Sequence, residues 1–281
     1  RIVYKILKTK ITLFIFFIAL MPFAQASSLS EVKELFIMGR FDEAQTAAIK
    51  MNTAEGYAIA SESLLAQILL GEVGKLNTHS KFARSLAKKA ITMDPSLYNA
   101  QLQYAISDGF VTRTSGAIKA WQKKLPSKTL NIIKNFREMY PDDALGLALE
   151  GAWHLGVIRK VGEKNGQDWF GASLDEGVNL YNKAIAISSD DTLIEVNYAM
   201  SLLAVDANRW KPLAESLLLN ISNRDEKDYL SKQVKLKSMQ VLSVIPDDKR
   251  SKVYAQKFLD GKLIKHVQDE IGKSIALIFV S

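Results

Sequence analysis

Four helix-ending signals recur along the chain at nearly one spacing, and they constrain its fold more than any other feature. "MDPS" places Pro95, "YPDD" Pro141, "SSDD" Ser189 and "IPDD" Pro246. Proline lacks an N–H and disfavours helical geometry in the residue before it, so such a site stops a helix. Ser96, Asp142 and Asp190 stand where a side chain can accept hydrogen bonds from the first N–H groups of the next helix. The doublets Asp142–Asp143, Asp190–Asp191 and Asp247–Asp248 therefore read as caps, not as paired catalytic carboxylates or calcium ligands.

An apolar helical rhythm follows the first three stops, in "SLYNAQLQYAI", "DALGLALEGAWHLGV" and "DTLIEVNYAMSLLAV". Strand alternation is nowhere sustained. The stretch "AKKAITMDPS" at 87–96 returns as "YNKAIAISSD" at 181–190, with "NFREMYPDD" as a diverged middle copy. The chain thus reads as a succession of antiparallel helix pairs. One pair cannot bury its apolar faces alone, so neighbours must stack.

These residues resemble the tetratricopeptide repeat family. "GRFDEA" at Gly39–Ala44 matches the step that opens the second helix of such a repeat. "AKKAITMDP" matches the closing step through Ala83, Ala87, Ala90 and Pro95, and "LYNKAIAI" is similar through Tyr181 and Ala184. "ALEGAWHLG" resembles a first helix, with Gly151 where two helices approach closely. The resemblance implies an all-α, right-handed helix-hairpin solenoid of about five pairs. The family period is 34 residues, whereas the stops here lie 46 and 48 apart, so extended loops are expected inside the pairs, at 109–125 and 158–171. Residues 27–281 read as one domain, with its clearest repeats at 29–205 and a diverged helical part at 206–281.

Residues 1–26 read as an export signal: a basic start, the apolar run "ITLFIFFIALMPF" and the small-residue step at Ala24 and Ala26. The run is short for a membrane span, and cleavage is expected over retention as an anchor. A bacterial periplasmic or secreted location follows. Of the net charge of +7, Arg1, Lys5, Lys8 and Lys10 supply four, leaving 33 basic against 30 acidic residues. That balance argues against a nucleic-acid partner. The absence of cysteine removes disulfides, thiolate metal sites, cysteine nucleophiles and lipid attachment.

Catalytic constellations are not apparent. His79, His154 and His266 are the only histidines, and no two have metal-ligand spacing. Ser85 and Lys88 fit a Ser-x-x-Lys pattern, but its companion motifs are missing. The reading is a non-enzymatic chain with no metal and no cofactor.

The tryptophans point to binding. Trp121 and Trp169 are 48 residues apart, the separation of Pro141 and Ser189, and so occupy equivalent places in the two long loops. Two readings are open: each indole anchors its loop over the helix pair, or the two form an aromatic rim for a partner. Candidate partner-binding residues are Trp121, Lys119, Lys123, Trp153, His154, Lys160, Trp169 and Phe170. The two loops are expected to touch at one basic edge suited to an acidic protein or peptide segment, while a concave face of first helices holds a polypeptide. A runner-up expectation is small-ligand capture, as in the repeat proteins associated with TRAP-type transporters. No stable membrane span is expected once the signal is removed.

Overall fold

Each of the four stop signals ends a helix. The computed structural model describes residues 28–262, and every regular element among them is an α-helix. The export-signal reading and the apolar tail "SIALIFVS" lie outside the described residues. In chain order the helices are α1 (Leu29–Ile37), α2 (Phe41–Met51), α3 (Ala54–Leu70), α4 (Leu76–Met93), α5 (Tyr98–Thr114) and α6 (Ala117–Gln122). They continue as α7 (Leu125–Met139), α8 (Ala144–Val161), α9 (Glu163–Phe170), α10 (Leu174–Ile187), α11 (Thr192–Ser222), α12 (Tyr229–Ser243) and α13 (Asp248–Leu259). None is long and apolar enough to cross a membrane.

The acidic doublets cap as expected, through one member each. The carboxylate of Asp143 accepts from the N–H of Gly146 at 2.8 Å, Asp191 from Ile194 at 3.0 Å and Asp247 from Arg250 at 3.0 Å. The second residue of the first two doublets does the work assigned to Asp142 and Asp190. Ser96 departs further. Its N–H and hydroxyl both donate to Asp94, and α5 starts after Leu97 without a side-chain cap. Asp94 lies two residues ahead and captures the serine locally.

Helices adjacent in sequence pack together: α3 against α2 and α4, α5 against α4 and α7, α8 against α7 and α10. Small residues set their approach. Ala83, Ala87 and Ala90 are fully buried on α4. A Cβ at Gly151 would stand 2.9 Å from the Tyr181 ring and 3.0 Å from the carbonyl of Gly177, so α8 and α10 meet only because that Cβ is missing.

Long α11 changes course at Asp206, whose φ of −151° and ψ of 97° are not helical. Its carboxylate accepts from the N–H of Arg209 and starts the helix afresh. Here the sequence pattern blurs, and here the chain turns back on itself. Phe41, Ala66 and Leu70, from α2 and α3, share one apolar cluster with Val196 and Leu203 of α11, Val234 of α12, and Tyr254 and Phe258 of α13. Gly39, at φ +80°, carries the α1–α2 turn against Tyr229, where a Cβ would lie 2.3 Å from the ring.

An open face was expected on the first helices, and they carry few fully exposed side chains. In α3, α5, α8 and the first half of α11 (192–205), only Glu55 and Lys160 are exposed. The loops are also shorter than expected. Buried Phe110 and Val111 carry α5 to Thr114, and buried Ile158 carries α8 past the expected break, leaving 115–124 and 162–173 outside the paired helices.

Candidate functional site

Two short helices, α6 and α9, fill these insertions. On α6, Ile118 and Trp121 lie one turn apart and are 75% and 63% exposed. Residues at i and i+3 share a helix face, so the two form one apolar stripe. The turn after α6 places Lys124 at φ 50°, and Pro126 then opens α7. From 109 to 137 the chain has no acidic residue. Lys119, Lys123, Lys124, Lys128 and Lys134 of this stretch are exposed, and none pairs with an acid among the described residues.

On α9, Trp169 is 56% exposed, while the neighbouring Phe170 turns toward the core around α8 and α10. Their rings meet edge to face at 6.4 Å. Gly171, at φ +70°, ends the helix, and the N–H of Ala172 donates back to the carbonyl of Gly166. That closure fixes Phe170 inward and Trp169 outward. Both equivalent indoles therefore face solvent, against the reading in which they anchor their loops.

Four of the sequence-derived candidates have other employment. Trp153 is buried, and its indole N–H donates to the carbonyl of Pro126 at 2.8 Å, tying α8 to the start of α7. His154 is buried, with Nδ1 accepting from the N–H of Ser173 at 3.0 Å. Since that donor is a backbone amide, the imidazole is neutral with its proton on Nε2. Burial holds its pKa below the ordinary histidine value. Phe170 belongs to the core. Lys160 leans on Asp260 at 3.6 Å, beside Arg159, which donates to the same carboxylate at 2.7 Å.

The expected shared edge is accordingly not formed. Helix α6 packs on α7 and α9 on α8, and the two insertion helices make no substantial contact with each other. Lysines with no acidic partner among the described residues flank both indoles, Lys119, Lys123 and Lys124 around Trp121 and exposed Lys164 ahead of Trp169, while Arg159 and Lys160 are turned to Asp260. Of the sequence-derived candidates, Lys119, Trp121, Lys123 and Trp169 stay available to a partner. Ile118 was overlooked, although its position three residues before Trp121 in a short insertion was a readable signal. No group of His, Cys, Asp or Glu side chains among the described residues is arranged to hold a metal. No protein-family model matches the sequence, and no curated protein matches it significantly.

Proposed function

We propose that this chain is a non-enzymatic scaffold, a right-handed helix-hairpin solenoid of tetratricopeptide type exported to the bacterial periplasm or exterior. It binds a polypeptide segment of a partner through its inserted helices rather than through a groove. The observation that carries this reading is the exposure of Trp121 and Trp169 at equivalent positions of two insertions. An indole holds some of the largest apolar area a side chain offers, and its burial by a partner contributes about 25 cal/mol per Å². Aromatic anchors of this kind dominate interface energetics.

The acid-free stretch around α6 supports a partner segment rich in carboxylates. Five lysines that have no acidic partner among the described residues raise the encounter rate and orient such a segment beside Ile118 and Trp121. The covered faces of α3, α5 and α8 support a site at the insertions instead of a concave one.

The test is isolation of the wild type and of a Trp121→Ala/Trp169→Ala double variant from the native cell envelope. The reading expects a stoichiometric polypeptide with the wild type only, with equal melting temperatures for the two proteins. The same companion on both proteins, or none on either, would count against it.

A further inference from the structure

Three second helices end on an exposed apolar residue. Met93 closes α4, Met139 closes α7 and Ile187 closes α10, and they are 47%, 45% and 54% exposed. They lie 46 and 48 residues apart, the spacing of the helix stops themselves. Tyrosines draw these junctions to one edge of the molecule. The hydroxyl of Tyr140 donates to the carbonyl of Ser96 at 3.1 Å, and that of Tyr98 to the carboxylate of Asp143 at 2.8 Å. Burial, then the hydrogen bond and charge of Asp143, push the Tyr98 pKa up, with Tyr140 and Asp191 adding to this, so the third junction stands within electrostatic reach of the first.

The edge is acidic as well as apolar. Residues 90–97, 137–143 and 184–191 carry Asp94, Glu138, Asp142, Asp143, Asp190 and Asp191 against a single cation, Arg137, which is paired with Glu150. Glu138, Asp142 and Asp190 are exposed and enter no ion pair among the described residues.

The insertions stand at the other end of the same helices. Helix α7 leads from α6 to Met139 over 15 residues and α10 from α9 to Ile187 over 14, about 20 Å in each case. Helices of that length keep an insertion from reaching the stop edge of its own molecule. Yet the two edges match. Ile118 and Trp121 stand among Lys119, Lys123, Lys124 and Lys128, and Trp121 and Trp169 are 48 residues apart, as are Met139 and Ile187. Helix α9 adds apolar area rather than charge, since Glu163 and Asp168 offset Lys164.

We propose that the segment bound at the insertions is the stop edge of a second copy of this chain. The inference rests on the reading of Trp121 and Trp169 as a polypeptide-binding site, and the companion expected of the wild type is then the chain itself. The indoles cover Met139 and Ile187 of the next molecule, while the α6 lysines face its Glu138, Asp142 and Asp190. Each copy uses a different edge toward each of two neighbours, so the contact is heterologous and adds copies head to tail.

Sedimentation of the full chain over a concentration series, at low and at high salt, tests this. Association that grows with concentration and weakens with salt is expected. An insertion variant, Trp121→Ala with Lys119→Glu and Lys123→Glu, and an edge variant, Glu138→Lys with Asp142→Lys and Asp190→Lys, should each weaken it by at least about tenfold. Both should fold, because the changed residues are exposed and the caps Asp143 and Asp191 stay in place. Mixed together, the two variants should form a one-to-one complex, since each keeps the edge that the other has lost. A wild type that stays monomeric at low salt, association that persists in either variant, or a mixture that does not associate would overturn the proposal. A monomeric chain whose position 121 crosslinks to a different polypeptide would overturn it while leaving the binding reading in place, and a monomeric chain without adducts would remove both.

Discussion

The backbone N–H of Ser173 donates to Nδ1 of His154 at 3.0 Å, and the same serine caps α10 by accepting from the N–H of Glu176 at 3.2 Å. One residue therefore fixes the start of α10 and reports the charge state of a histidine on α8. Protonating Nδ1 would set a donor against a donor. Burial lowers the His154 pKa in the folded state, so as pH falls the unfolded chain takes up the proton first, near 6.5. The contribution is full above 6.5, declines below it, and levels out beneath the folded value. Urea unfolding between pH 5 and 8 should show this decline. His154→Asn offers a carboxamide oxygen near the Nδ1 position without titrating, and should remove this part of the pH dependence.

Gly151 and Gly156 lie five residues apart on α8 and should respond oppositely to alanine. At Gly151 the new Cβ would press on Tyr181 and the Gly177 carbonyl, and Gly151→Ala should cost about 1–3 kcal/mol. At Gly156 the Cβ meets no atom, so the higher helix propensity of alanine should raise stability by up to about 1 kcal/mol. Denaturant midpoints of the two variants make the comparison.

The tryptophans divide in the same manner. Trp153→Ala removes a buried indole and its hydrogen bond to Pro126, and should cost about 3–5 kcal/mol. Trp121→Ala and Trp169→Ala, at exposed positions, should change stability by less than about 0.5 kcal/mol. A loss of several degrees in melting temperature for either exposed variant would return it to the role of a structural loop anchor.

These divisions mark how far the sequence could be read. Helix ends were legible because a proline and a capping aspartate act on residues within four positions, as Asp143, Asp191 and Asp247 do. Gly151 was legible because a glycine amid long side chains in a helical pattern marks close approach. The closure of Phe41 on Tyr229 and the capture of Arg159 by Asp260 join residues far apart, and no local periodicity encodes them. For the same reason Trp153 and Trp121 looked alike: both are tryptophans near a loop, and only the packed helices decide which is covered. Ser96 failed on a smaller scale, because Asp94 outcompetes the helix for its hydrogen bonds.

Photo-crosslinking at the insertions tests the binding account most directly. The photoreactive residue p-benzoylphenylalanine would replace Trp121, Trp169 and, as an exposed apolar control on α11, Leu219, with irradiation in the cell of origin. The account predicts adducts with one and the same polypeptide from positions 121 and 169, weakened when Lys119, Lys123, Lys124 and Lys128 are replaced by serine, and none from position 219. Absence of adducts at 121 and 169, or equal labelling from position 219, would contradict it.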